Sequence, residues 1–320
     1  MSRSLPIVAI ITHHANEMVW TCVDSILEQQ AFCREIWIVH SHDDRCQNLP
    51  AWENTIPIHY HWLEGNCGFA AAVNWILSQA IGTVFILNDD TILKPNCLVQ
   101  LLEKAEQYPK AILQPEIWLQ TDKDQTPLVE NSGHYVGIDG SNSACDRYQR
   151  PSKKGLSSRL CFSGAAFWLP EHVYQHPMLQ TMDVSLSPFG EDLDYALRAI
   201  RCGVDIFCVH SAVIIHHWGG SYERYSAQKV SWVESHRIQS KFHNLPLWMI
   251  LLAPLASLHR YRHSLQDSRI PQNNTTEAVW ATCKGIYQGY RAFPKAMAKR
   301  QATQFSVNDW EFTKRWWRQS

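Results

Sequence analysis

Apolar residues fall along the first two hundred positions in two alternating rhythms. Short, largely apolar runs occur at Ile7–Thr12, Glu35–His40, Ile58–Leu63, Val84–Leu87 and Ala111–Trp118. Each is too short for a helix and is edged by polar or glycine residues, the signature of a strand buried on both faces. Between them the spacing turns helical. Val19, Cys22, Val23, Ile26 and Leu27 share one face of a helix over 19–29; Phe69, Val73, Ile76 and Leu77 share one over 68–81. A further helix is predicted over 96–108. The stretch from about Thr121 to Ser158 breaks the rhythm. It is polar, carries Gly133, Gly137, Gly140 and Gly155, and reads as a long loop or irregular hairpin of functional kind. Leu160–Leu169 is strand-like, with Gly164 inside it. Glu191–Cys202 is helical, with Leu193, Ala196, Leu197 and Ile200 inward and Gly203 as its stop. Asp205–Val209 and Ala212–Ile215 are two more strands, and from about Ser226 onward the chain is helical and rich in basic and aromatic residues. Strand and helix in alternation predict an α/β fold with a mostly parallel sheet covered on both faces.

Composition narrows the class. The chain has 320 residues, 45% apolar and 18% charged, enough for a sizeable core. A net charge of −1 offers no electrostatic case for nucleic acid. The ten cysteines form no C-x-x-C pair, and Cys22, Cys161 and Cys208 lie in apolar surroundings, as reduced cytosolic thiols do. The N-terminus does not read as a signal peptide, and no run of 18 apolar residues would span a membrane. No G-x-G-x-x-G follows the first strand, which argues against a dinucleotide-dependent oxidoreductase, and the histidines lack the cysteine cluster of a zinc protein.

Four segments carry residue types suited to chemistry. Asn88-Asp89-Asp90 ends an apolar strand, at the sheet edge where α/β proteins bind ligands. The acid pair suits a divalent metal holding a phosphate; acids at a strand end also serve simply as turn residues. Asn66-Cys67-Gly68-Phe69-Ala70-Ala71-Ala72-Val73-Asn74 starts a helix with small residues, which suits close approach of a phosphate or plain helix–sheet packing. Phe189-Gly190-Glu191-Asp192 places two acids in the first turn of a helix, where they serve catalysis or stabilise the helix dipole. Val213 to Ser221 delivers His216 and His217 from a strand into a glycine turn, as ligands or as structural histidines.

Taken in order, these segments resemble glycosyltransferase family 2, of the GT-A fold, and within it the bacterial rhamnosyltransferase-like branch. The residues that carry the resemblance are Asn66, Gly68, Phe69 and Asn74; Leu87, Asn88 and Asp90; Gly164 and Ala165; Glu191 and Asp192; and His216 and Gly219, over about residues 6–245. The resemblance implies a GT-A catalytic domain over 1–240, Rossmann-like with flanking helices, and a C-terminal helical extension over 241–320. It implies inverting transfer of rhamnose or a similar hexose from a nucleoside-diphosphate-sugar to a glycan or lipid-linked glycan. It makes Asp192 the base with Glu191 beside it, and Asp90 and His216 ligands of Mn2+ or Mg2+, His217 being the second choice. Thr12, His13, His40, Asn66, Gly68, Asn74, Asn88, Asp89 and Gly164 become nucleotide-sugar contacts, with dTDP or UDP as the carrier. Two departures stand out. His40 occupies the place of an acid that holds the nucleobase in the family, with Asp43 or Asp44 as substitutes, and Ala71 and Ala72 replace glycines. The alternative is a sugar-nucleotide-binding protein without transfer activity.

The most apolar stretch, Leu245–Leu258, holds two prolines and is followed by His259-Arg260-Tyr261-Arg262-His263; the chain closes on Lys314-Arg315-Trp316-Trp317-Arg318. Tryptophan mixed with cations suits an interfacial segment at the inner face of the cytoplasmic membrane, or packing on the catalytic domain.

Overall fold

The structure, a computed structural model, describes residues 4–13, 17–42, 52, 56–120, 126–217, 226–264 and 275–318. Its elements in chain order are β1 (Ile7–Thr12), α1 (Glu17–Leu27), β2 (Glu35–His40), β3 (Ile58–Trp62), α2 (Gly68–Gln79), β4 (Val84–Asn88), β5 (Thr91–Leu93), α3 (Cys97–Gln107) and β6 (Ile112–Leu119). There follow β7 (Val129–Asn131), β8 (His134–Val136), β9 (Asn142–Ala144), β10 (Leu156–Arg159), β11 (Ala166–Leu169), α4 (Glu171–Tyr174), α5 (Glu191–Arg201) and β12 (Ile206–His216). Five helices close the chain: α6 (Ala227–Asn244), α7 (Leu247–Ser264), α8 (Thr275–Arg291), α9 (Phe293–Ala302) and α10 (Asp309–Trp317).

The main sheet runs β10-β12-β6-β11-β4-β1-β2-β3. β3, β2, β1 and β4 are parallel to one another, as are β12 and β6; β11 lies antiparallel between the two groups. The unbroken apolar runs have the expected cause. Ile7, Ala9 and Ile11 of β1 face one core cluster with Val73 and Ile76 of α2 and Leu193 and Ala196 of α5. Val8 and Ile10 face a second cluster with Val19, Cys22 and Ile26 of α1 and Leu98 and Leu101 of α3. Both faces of the sheet are therefore lined mainly by apolar side chains.

Two strand boundaries differ from expectation. The strands read over 205–209 and 212–215 are one strand, β12, whose register against β6 slips between Val209 and Val213. The bulge carries His210, whose Nδ1 meets the Glu116 carboxylate and whose Nε2 lies 2.8 Å from Ser157 Oγ. A polar residue within an apolar run looked like a strand break; its polar atoms are satisfied inside the sheet. The run read over 160–169 is shortened to β11, because Ser163 and Gly164 form a turn before it. The irregular stretch over 121–158 contributes β7 to the sheet edge and a small β8–β9 hairpin.

Helix α5 differs from a simple amphipathic helix. Its apolar face packs on the sheet as its spacing predicts, but its polar face is also buried, beneath the C-terminal helices. Asp194, fully buried, accepts from Arg198 Nε at 2.7 Å and Asn244 Nδ2 at 2.8 Å, and lies 3.0 Å from His243 Nδ1. Arg198 in turn donates to the carbonyls of Met178 and Thr181. Arg201 donates to the carbonyls of Asn244 and Val307 and to Asp309. α6 thus runs through the expected domain boundary at 240/241 as a continuous buried element.

Burial alone would raise the Asp194 carboxyl, but the Arg198 guanidinium and the His243 and Lys299 groups hold it far below the usual carboxylate range. Folded Asp194 stays ionised where the unfolded chain takes up a proton, so its contribution is present above pH ~4 and is lost as pH falls below that. Asp194→Ala should lose about 3–5 kcal/mol in urea unfolding at neutral pH, since it strands buried cations. Asp194→Asn should flatten the acid limb of the wild-type stability profile. An unchanged urea midpoint in both variants would remove Asp194 as the tie between α5 and the C-terminal helices.

Candidate active site

The Asp89-Asp90 turn follows β4 and reverses the chain into β5, which pairs antiparallel with the end of β12, Thr91 opposite His216. The His217 amide donates to the Asp90 carbonyl at 2.8 Å, and the Thr91 hydroxyl to the Asn88 carbonyl at 2.7 Å. This pairing sets His216 Nε2 3.1 Å from Asp90 Oδ1. The other imidazole nitrogen, Nδ1, lies 2.8 Å from Glu130 Oε2 on β7. Burial opposes a charge on His216, yet the Asp90 and Glu130 carboxylates on its two sides raise it to about 10.

Among the described residues, no group of three or more His, Cys, Asp or Glu side chains is arranged to hold a metal ion. Asp90 and His216 nonetheless fit as a pair of ligands. Asp90 Oδ1 is buried and, among the described residues, has no aligned hydrogen-bond partner, His216 lying 3.1 Å away. Glu130 orients the imidazole from behind, as an outer-shell carboxylate does for a ligating histidine. A cation held by this pair would have positions left for phosphate oxygens or water. Burial, reinforced by Asp90, pushes the adjacent Asp89 carboxyl up to about 6, with the Thr12 hydroxyl and His216 opposing.

The acids of α5 reach the same edge through Gly164. The Asn88 amide donates to the Ala165 carbonyl at 2.9 Å, and the Gly164 amide lies 3.3 Å from Asp192 Oδ2. The other Asp192 oxygen accepts from the Leu193 amide at 2.8 Å. Asp192 is partly exposed, whereas Glu191 is buried and accepts from the Gly190 amide. Burial and the Asp192 charge push Glu191 up to about 7. His134 on β8 lies close enough to Asp192 and Glu130 for both to favour its charged form, against burial, which holds the imidazole below its ordinary range. Glu130 and His134 escaped the sequence reading. Both fall in the stretch flagged as a functional loop, where no local pattern singles out a residue.

The remaining sequence candidates divide between the crevice and the interior. Thr12 ends β1 and is buried; its carbonyl accepts from the Ser41 amide and hydroxyl. His13 Nδ1 lies 3.5 Å from Ser41 Oγ, and its ring meets His42 edge-on. His40 is buried, its ring stacked 5.2 Å from Trp62, so it faces the core beside the crevice rather than open solvent. Asn66 is exposed. Gly68 opens α2 at φ +73, and no side chain caps that helix, which leaves first-turn amides for an anion. Asn74 turns away from this crevice: its amide group exchanges two hydrogen bonds with the Met182 backbone, at 3.0 and 2.7 Å. It ties α2 to the segment leading into α5. Asp43, Asp44 and Gly219 lie outside the described residues.

Residues 7–165 match the family model described as glycosyl transferase family 2. No curated protein matches the chain. Among solved structures, that of GalNAc-T7 with UDP, GalNAc and Mn2+ is similar with a TM-score of 0.63 at 12% identity, covering 95% of this chain and 58% of that one. The present chain therefore spans little more than half the length of that relative. The structure of S. aureus TarS 1-349 is similar with a TM-score of 0.48 at 12% identity, covering 96% and 95% of the two chains. The first likeness shows a shared fold, the GT-A arrangement of a mostly parallel sheet flanked by helices, here followed by C-terminal helices.

The two candidate glycines should separate on substitution. A Cβ at Gly68 is strained by its positive φ, so Gly68→Ala should cost about 1–2 kcal/mol. A Cβ at Gly164 meets only ordinary contacts, with Phe69 at 3.5 Å and Asp192 Oδ2 at 3.6 Å, and Gly164→Ala should change stability by less than about 0.5 kcal/mol. Urea unfolding of both variants measures this; the reverse order would contradict the placement of the two turns.

Proposed function

We propose, from the GT-A fold and the family match over 7–165, that the chain is a metal-assisted inverting glycosyltransferase. It moves rhamnose or a similar hexose from a dTDP- or UDP-linked donor to a hydroxyl of a glycan or lipid-linked glycan, in cell-envelope polysaccharide synthesis. The observation that carries the reading is the convergence of Asp90, His216 and Asp192 at one sheet edge, joined through Asn88 and the Gly164 turn.

Residues 1–240 form the catalytic unit in this reading. His13 borders the nucleotide, with Thr12 and His40 buried behind it; Gly68 offers the α2 amides to the diphosphate; Asn88 and Asp89 border the sugar. Asp90 and His216 hold Mn2+ in preference to Mg2+, because a carboxylate–imidazole pair suits the former better. A bound divalent ion neutralises the departing nucleoside diphosphate. Asp192, partly exposed and fixed by two backbone amides, takes the proton of the acceptor hydroxyl as its oxygen bonds to the anomeric carbon and the bond to the diphosphate breaks. One displacement inverts the anomeric configuration. Glu191, its catalytic neighbour in this reading, lies buried beside it.

The helices from 241 onward form an extension that lies on the inner membrane surface. Leu247, Leu251, Leu255 and Leu258 make an exposed stripe along α7, and Trp310 and Trp317 are exposed on α10 among Lys314, Arg315 and Arg318. No helix among the described residues is long and apolar enough to cross a membrane.

Calorimetric titration with UDP, dTDP and GDP, with and without Mn2+, tests the donor site. One diphosphate should bind in a metal-dependent way, and Asp90→Ala should abolish that binding. Asp192→Asn should keep nucleotide affinity and lose ~10²–10⁴-fold in transfer. Full transfer by that variant ends the assignment of the base; nucleotide binding with no transfer in the wild type favours the non-catalytic alternative. Leu251→Glu with Leu255→Glu should release the protein from anionic vesicles in a sedimentation assay, and unchanged sedimentation would remove α7 from the membrane contact.

A further inference from the structure

Helices α6 and α8 lie side by side and run in the same direction. Gly285 sits against Ser231 and Glu234 of α6, and Gly289 one turn later against Ser235 and Ile238. A Cβ on Gly285 would fall 2.5 Å from the Ser231 carbonyl oxygen, so only glycine permits this approach. Toward the N-terminal ends of both helices lies an open groove of about 380 Å3, lined among others by Gln228, Trp232, Glu277, Trp280, Lys284 and Gln288. Its volume falls within the range of small-ligand sites, ~300–1,000 Å3.

The lining has a specific chemistry. Trp280 is 65% exposed, unusual for so large an aromatic side chain, and the Lys284 ammonium lies 5.5 Å from its ring centroid. Two amides, one carboxylate and one ammonium surround the indoles, so the groove has no charge excess to select an anion or a cation. A pyranose ring matches this arrangement: its C–H face packs on an indole, and its rim of hydroxyls exchanges hydrogen bonds with amide and carboxylate side chains. Helix α6, which lines one side of the groove, also packs on the loop that leads into Asp192. Lys229, the residue after Gln228, places its ammonium 4.7 Å from the Phe189 ring centroid, three positions before Asp192. Two turns further along, His236 Nδ1 lies 3.1 Å from the Pro188 carbonyl oxygen.

We propose that the α6–α8 groove is a binding site for the acceptor glycan, with one uncharged sugar ring stacked on Trp280 and the chain leading past Phe189 to Asp192. The assignment rests on the glycosyl-transfer reading above. It adds the acceptor class, an oligosaccharide long enough to reach from Asp192 to Trp280, and a specificity determinant remote from the reacting atoms.

The full-length protein is applied to an array of immobilised neutral di- to hexasaccharides built on rhamnose, glucose, galactose and their N-acetylated forms. Binding should appear with the longer members, weaken about tenfold or more in Trp280→Ala, and return in Trp280→Phe. Trp280 is exposed, so its truncation leaves the fold intact, as the unchanged nucleotide titration of the same preparation verifies. Equal binding by Trp280→Ala overturns the proposal, as does the absence of any bound glycan in protein that binds nucleotide. Loss of vesicle binding in Trp280→Ala without glycan binding would reassign the ring to the membrane. Glycan binding without nucleotide binding keeps the groove and removes the transferase reading instead.

Discussion

A carboxylate with no access to water, Asp194, governs how this molecule is assembled. An ionised acid in the interior is tolerated only when every lone pair meets a donor or a cation. Asp194 meets Arg198 on its own helix, and His243 and Asn244 on α6, with the Lys299 ammonium of α9 3.7 Å away. The partners come from three helices and none can leave without stranding a buried charge. Helix α5 is therefore clamped between the sheet and the C-terminal helices, and its first turn, with Asp192, is held against the Gly164 amide. The helical extension is a structural part of the site it adjoins.

At the other side of the site the governing constraint is backbone pairing. β5 is three residues long and has little stability of its own, yet its ladder with β12 makes Asp90 and His216 neighbours across 126 positions of sequence (216 − 90). β7, added at the sheet edge through β6, brings Glu130 behind the imidazole. Carboxylates, the buried Glu130 and the half-buried Asp90, lie on both sides of one histidine, a concentration of negative charge that suits a cation. The same edge keeps Asp192 partly open to solvent. The two halves of the candidate chemistry thus rest on different kinds of support, one on hydrogen-bonded strands and the other on buried ion pairs.

The sequence by itself determined most of the scaffold. β1 and β2 occur where their apolar runs lie, and α1, α2, α3 and α5 begin and end within a few residues of their periodic faces. The reason is that burial on both faces of a parallel sheet writes a continuous apolar signal that nothing else produces at that length. The ends of those strands, Asn88 to Asp90 and His216, were legible for the same reason: polar residues directly after a buried strand mark the ligand edge. His210 was misread as a break because one-dimensional pattern cannot tell a polar residue facing water from one whose partners, Glu116 and Ser157, lie on other strands.

What only the tertiary structure decided concerns partners distant in sequence. Glu130 and His134 carry no local mark, since their surroundings have neither period nor motif, and only the pairing of β7 and β8 sets them beside His216 and Cys161. Asn74 matched a motif position, yet its amide is taken up by the Met182 backbone; the motif constrains the residue type and leaves its partner open. His40 likewise stands at a strand end, and its stacking on Trp62 follows from the β2–β3 register. The polar side of α5 reads in sequence as a solvated face. It is buried because His243 and Asn244 of α6, Lys299 of α9 and Asp309 of α10 arrive to pair with Asp194 and Arg201, and a charge's fate depends on neighbours that periodicity does not encode.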